Sequence, residues 1–224
     1  MPYLERDGDV FILYLGNEGE TDNENRFGPE WIDAVHSKLD EVEAHEGPAA
    51  LVTTATGKFY TNGLDTTWIF GNLDGLPGYL DKVHTIYSRL LTFPMATVAA
   101  VQGHAFGAGA MLASSHDFQI MRADRGFYCL PEVGLNMPFT VGMSALLNSR
   151  LPKQTAVDAM TTGASLRRRR RTRCRHRAGN GRRRRSTRRC CGQGVGTDVD
   201  SRQELGGNQG RHPSRCSCRP RSGD

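Results

Sequence analysis

The stretch GHAFGAGAMLA, Gly103 to Ala113, decides the reading of this chain, because it packs glycine and alanine into a turn and runs straight into an apolar helix. Gly103, Gly107 and Gly109 alternate with Ala105, Ala108 and Ala110, so something approaches the backbone too closely for larger side chains. What such a turn offers is peptide N–H. The first turn of a helix has N–H groups without an intrahelical partner and carries the positive end of the helix dipole, which suits an anion or a developing oxyanion. Plain close packing of a helix on a strand needs the same small residues, and the spacing is not that of a dinucleotide-binding fingerprint. Ala96 to Val101, just before, is short, small and β-branched, a strand that delivers the turn to one edge of a sheet.

Working upstream, Leu76 to Phe93 is predicted helical, with Leu80, Val83, Ile86, Tyr87, Leu90 and Leu91 on one face and Phe93-Pro94 as its stop. Asp65-Thr66-Thr67 caps a short helix at Trp68 to Phe70. GKFYTNGLD, Gly57 to Asp65, reads as a loop at the carboxyl end of a buried strand, Ala49 to Thr54, where ligands bind in open α/β sheets; an ordinary Asn-Gly turn would look the same. Pro29 to Glu46 is an amphipathic helix, with Trp31, Ile32, Val35, Leu39 and Val42 at three- and four-residue steps. Asn17 to Arg26 is a polar surface loop, and Asp9 to Leu15 pairs with Tyr3 to Glu5 as a hairpin.

Downstream, Phe118 to Met121 is a further strand and Phe127 to Leu130 a short extended piece leading to Pro131-Glu132-Val133-Gly134. Met137-Pro138 opens a helix at Phe139 to Ser149, and Lys153 to Thr162 forms another with Pro152 at its first turn. Repeated strand, helix, strand units argue for an α/β layered domain.

Charge divides the chain in two. Through Gly163 there are 10 Lys and Arg against 20 Asp and Glu, whereas the remainder holds 19 Arg against 4 acids. Cysteine divides the same way: Cys129 stands alone in the first part and the other five lie in the second. One Cys in the globular part points to a reduced, intracellular setting, and the cytoplasm is the expected compartment. No apolar run approaches the roughly 20 residues that span a bilayer, and the charged N-terminus is not signal-like. No His, Cys, Asp or Glu spacing in the first part suggests a metal. His104 and His116 read as structural, since no nucleophile-elbow motif precedes His116-Asp117.

Three stretches, GKFYTNGLD, GHAFGAGAMLASSHD and FYCLPEVGLNMP, stand in an order that resembles the enoyl-CoA hydratase/isomerase family, the crotonase fold. Within it the chain most resembles the 3-enoyl-CoA to 2-enoyl-CoA isomerases, over Met1 to about Gly163. The resemblance implies an α/β fold of layered (ββα)n units, here truncated, with residues 1–163 as an acyl-CoA-binding domain. It also implies an oxyanion hole for the thioester carbonyl, made by the N–H groups of Leu64 and Ala108. Gly63, Gly107 and Gly109 would let the acyl chain and CoA pass close to the backbone. Hydratases of the family use two glutamates at the positions of Met111 and Glu132; only Glu132 is an acid here. One carboxylate beside an apolar Met suits moving a proton from C2 to C4 better than fixing a water, and apolar surroundings raise its pKa toward that of a general base. Arg26, Phe27 and Asn62 match positions that line the CoA channel. CoA is then part of the substrate and no bound cofactor is implied. The alternatives are a hydratase or another acyl-CoA enzyme of the same fold.

After Gly163 the resemblance stops. Residues 164–224 are rich in Arg, Gly, Ser and Cys with almost no aliphatics, so they are expected to be disordered. A reading-frame shift in a GC-rich gene accounts for this tail; a genuine basic arm would instead bind nucleic acid through phosphate charge, leaving an inactive domain with a polyanion-binding function. The family's homotrimer is in doubt without its closing helices.

Overall fold

The chain starts as a hairpin: β1 (Tyr3–Asp7) and β2 (Val10–Tyr14) pair antiparallel around Gly8, whose φ is 59°. Then follow α1 (Pro29–Glu43), β3 (Ala50–Thr54), β4 (Phe59–Thr61), α2 (Thr66–Gly71), α3 (Leu76–Leu91) and β5 (Ala96–Val101). The remainder is β6 (His104–Phe106), α4 (Ala108–Ser114), β7 (Phe118–Met121), β8 (Tyr128–Cys129), α5 (Val141–Arg150) and α6 (Lys153–Thr162). The computed structural model describes residues 1–166.

Two sheets divide the strands. The larger has the order β1-β2-β3-β5-β7, parallel from β2 onward; the smaller is β4-β6-β8, parallel throughout. Each repeat therefore contributes one strand to each sheet before its helix: β3 and β4 precede α2 and α3, β5 and β6 precede α4, β7 and β8 precede α5. This strand, strand, helix unit corrects the strand, helix, strand reading of the residues and agrees with the layered (ββα) fold implied by the resemblance. β5 lies inside the large sheet, between β3 and β7, and its turn leaves from the carboxyl end.

Periodicity places the core. Trp31, Ile32, Val35, Leu39 and Val42 of α1 are buried, as their spacing requires, though the helix stops at Glu43 rather than Glu46. All seven residues of α4 are buried, and at Gly109 an added Cβ would sit 2.6 Å from Thr61 O, so the helix lies too close to β4 there for a side chain. Asp117 ties β5 to the start of β7, its carboxylate accepting from Thr97 N (2.9 Å) and Thr97 Oγ1 (3.0 Å). His116 is buried beside it. Its ring nitrogens meet Thr53 Oγ1 and Leu112 O, both at 2.9 Å, and burial lowers its pKa to about 4, so a neutral structural imidazole fits the site. His104 lies among the rings of Phe59, Phe106 and Phe127.

At the end of the described chain, Leu166 exchanges two backbone bonds with Tyr128, so ordered pairing runs three residues past the expected boundary at Gly163. The expected disorder and nucleic-acid binding of the tail otherwise fall on residues 167–224, outside the described residues. Among the described residues no helix is long and apolar enough to cross a membrane.

Candidate active site

The three strands of the small sheet run in one direction, and each releases its chain at the same end. Leu64 follows β4, Ala108 follows β6 and Glu132 follows β8, each within three residues of the strand. A sheet of only two- and three-residue strands thereby gathers three distant segments at one edge.

Hydrogen bonds to the neighbouring carbonyls fix where the two peptide N–H groups point. Gly63 O accepts from Phe27 N at 2.9 Å, and in a planar trans peptide the Leu64 N–H must point the opposite way. Gly107 O accepts from Ala110 N (3.0 Å) and Met111 N (3.1 Å), so the Ala108 N–H points back out of the start of α4. Among the described residues neither N–H is given to a protein acceptor.

Glycine is required where these segments meet. Gly63 has φ +82°, and a Cβ there would sit 2.6 Å from Phe106 O and 3.0 Å from Ala108 N. Gly107 has φ +52°, and its Cβ would stand 3.2 Å from Glu132 Oε1. The missing side chains bring the loop after β4, the start of α4 and the Glu132 carboxyl into mutual contact.

Glu132 lies in a single 3-10 turn, Pro131–Val133, that follows β8 directly. Its side chain is buried, Oε2 has no hydrogen-bond partner among the described residues, and burial pushes its pKa from the ordinary carboxylate range up to about 7. The carboxyl borders a cavity of about 450 Å³ whose walls also include Leu64, Gly107 and Ala108. The other walls are mostly apolar: Leu76 and Leu80 of α3, Phe106, Leu135, Met137, Phe139 and Met143. Glu132 is the only carboxyl among the lining residues. Among the described residues no group of three or more potential ligands could hold a metal.

The remaining expected residues fall into two sets. Arg26 and Asn62 line the cavity. Both bond Glu24 Oε2, Arg26 Nε at 2.6 Å and Asn62 Nδ2 at 3.1 Å, and these bonds, the Asn62 one foremost, hold the Glu24 carboxyl below its usual range. Phe27, Met111, Gly63 and Gly109 are not among the residues lining this cavity. The Phe27 ring is fully buried against Trp31, with ring centroids 4.3 Å apart. Met111 packs in the core. Gly109 makes room for Thr61, whose Cγ2 and O would each lie 2.6 Å from an added Cβ, and Gly63 makes room for Phe106 O. The sequence reading missed the walls from α3 and from Leu135 to Met143, because an apolar residue facing a cavity has the same spacing as one facing a core.

A profile of the family described as enoyl-CoA hydratase/isomerase matches residues 20–169. The chain is 35% identical over 160 residues to the Arabidopsis thaliana protein named enoyl-CoA delta isomerase 2, peroxisomal, covering 68% of this chain and 65% of that one. It is 35% identical over 153 residues to enoyl-CoA delta isomerase 3 of the same plant, covering 66% and 63%. The chain thus spans a little under two thirds of the length of these relatives. Among solved structures, an enoyl-CoA hydratase/isomerase family protein from Pseudomonas syringae superposes with a TM-score of 0.68 at 24% identity, over 74% of this chain and 70% of that one. A probable enoyl-CoA hydratase from Mycobacterium tuberculosis gives 0.67 at 22%, over 74% and 68%. These last two likenesses show the fold.

Proposed function

Because the chain belongs to the enoyl-CoA hydratase/isomerase family, we propose that its cavity takes the acyl thioester of a 3-enoyl-CoA and moves the double bond to C2 by carrying one proton through Glu132. The observation that carries this reading is a single buried carboxyl, its pKa about 7 and Oε2 unpartnered, beside two peptide N–H groups aimed at the same space.

The thioester oxygen accepts from Leu64 N–H and Ala108 N–H. Ionised Glu132 removes a proton from C2; the electron pair moves into a dienolate whose negative charge rests on the thioester oxygen, where the two fixed donors stabilise it. Glu132, now protonated, returns the proton to C4 and is ionised again. A pKa near 7 leaves comparable amounts of acid and base at neutral pH, which suits a group that must act as both in one turnover. Hydration needs a water held in place, and among the described residues no second carboxyl lines the cavity to share that task. In this reading Leu76, Leu80, Phe139 and Met143, which line the cavity, form an apolar bed for the acyl chain, and Arg26, also in its wall, is proposed to meet the CoA portion. The CoA thioester is the substrate, and the scheme calls on no cofactor.

The names of the delta isomerase relatives support the same choice of reaction. Two of those names carry the word peroxisomal; for this chain the cytoplasm is proposed, and imaging a tagged chain tests it. A homotrimer is the proposed assembly, to be checked by sedimentation of the full chain.

The deciding experiment supplies the full chain with a 3-enoyl-CoA and follows absorbance of the conjugated 2-enoyl thioester. Glu132→Gln is expected to lose on the order of 10²–10⁴-fold in kcat, and wild-type kcat/KM should rise with pH and level off above about 7. Retention of the wild-type rate by Glu132→Gln would remove the assigned base, and hydration without isomerisation would replace the reaction.

A further inference from the structure

We infer that Tyr79 and Tyr87 of α3 are positioning residues that hold the Leu64 and Ala108 N–H groups in place, so that one helix sets the width of the oxyanion hole. The inference rests on the proposed role of those two N–H groups. Both tyrosines are buried, and with Val83 between them they occupy one face of the helix at four-residue steps. Eight residues of helix separate the two rings by roughly 12 Å along the axis. That spacing lets one rigid element reach both segments.

At the first position the bonds close a ring around Leu64. Phe27 N donates to Gly63 O at 2.9 Å, which fixes the peptide before Leu64. Asp65 N, after Leu64, donates to the Tyr79 hydroxyl at 3.1 Å, and that hydroxyl donates to Phe27 O at 2.7 Å. Leu64 is therefore clamped on both flanks to one residue, Phe27, with the Tyr79 hydroxyl as the side-chain link on the Asp65 side, while Thr61 Oγ1 accepts from Gly63 N at 3.0 Å. The Phe27 position thus matters through its backbone. At the second position the Tyr87 hydroxyl donates to Ala108 O at 3.0 Å, anchoring the residue whose N–H faces the cavity. Burial pushes Tyr79 up to about 12 and also raises Tyr87 well above its ordinary value, so both hydroxyls stay neutral donors throughout the working range.

The donors themselves survive removal of either hydroxyl; what changes is their aim. Small displacements of positioned groups cost catalysis steeply, whereas binding through the rest of a large substrate is little affected. Tyr79→Phe and Tyr87→Phe are each expected to lower kcat about tenfold with KM within about twofold. The second readout is the infrared C=O stretch of a saturated acyl-CoA, isotope-labelled at the carbonyl and bound to the full chain, which needs no turnover. Two donors shift this stretch to lower frequency in the wild type, and each variant should show a smaller shift. Tyr60→Phe is the control: it removes an equally buried hydroxyl, bonded to Thr53 Oγ1 at 2.6 Å, and should lower Tm by a few degrees while leaving kcat and the C=O stretch unchanged. The tyrosine variants are read independently, so either decides for its own donor. Wild-type kcat and wild-type C=O shift in both tyrosine variants, with Tm alone reduced, would overturn the inference. A wild-type chain that binds acyl-CoA without any C=O shift would overturn the oxyanion hole itself.

Discussion

Glu132 must be ionised to take a proton, yet its surroundings favour the neutral form. Its folded-state pKa is raised from 4.5 to about 7, so its contribution to stability is fully present below about pH 4.5 and is lost as pH rises through about 7. Above that the ionised carboxyl costs on the order of 3 kcal/mol. Glu132→Gln should therefore raise Tm at pH 8 and change it little at pH 5, while abolishing turnover; equal Tm shifts at both pH values would count against burial as the cause. The two N–H donors are indifferent to their side chains. Leu64→Ala should leave kcat within severalfold, whereas Ala108→Pro, at the first position of α4 where proline fits a helix, should cost about 10²–10³-fold by deleting one donor. These roles were legible in sequence because Gly63, Gly107 and Glu132 sit in recognisable strings. Phe27 and Met111 were not, since an apolar letter does not say whether it faces a cavity or the core.

At the scale of elements, the long helices and the strands of the large sheet could be read within a few residues, because each spans enough positions to show its period. The small sheet could not. β4 and β6 have three residues each and β8 two, too short to alternate, and the glycines around them read as loop and turn. The third discrepancy is α5. Met137-Pro138 is expected to open a helix at Phe139, but Thr140 is the cap, accepting from Met143 N at 3.2 Å, and the helix begins at Val141. A similar cap steadies the site. Asp65 Oδ1 accepts from Thr67 N and Trp68 N, both at 3.1 Å, immediately after Leu64. Asp65→Ala is expected to lower stability by about 1 kcal/mol in denaturant titration. Because the cap adjoins the clamp on Leu64, it should also reduce kcat more than the more distant Lys82→Ala, which breaks an exposed ion pair with Asp33.

For the whole molecule, two buried groups oppose each other in acid. His116 has its folded-state pKa lowered from 6.5 to about 4, so the stability it supports is complete above pH 6.5 and is lost as pH falls toward 4, about 3 kcal/mol in all. Glu132 changes in the opposite sense over nearly the same interval. The two contributions nearly cancel, and the Tm of Glu132→Gln should fall more steeply than that of the wild type between pH 7 and pH 4. Parallel curves would show that Glu132 is not buried as described. The charge division falls at Gly163, three residues before Leu166, which still pairs with Tyr128. The small parallel sheet has one more consequence, for how such a chain can change over generations. It presents two main-chain donors and one carboxyl, so positions 64 and 108 can drift through many amino acids without altering the chemistry. Comparing residue identities alone would overlook most of the proposed catalytic centre, while a single replacement at 132 would retire it.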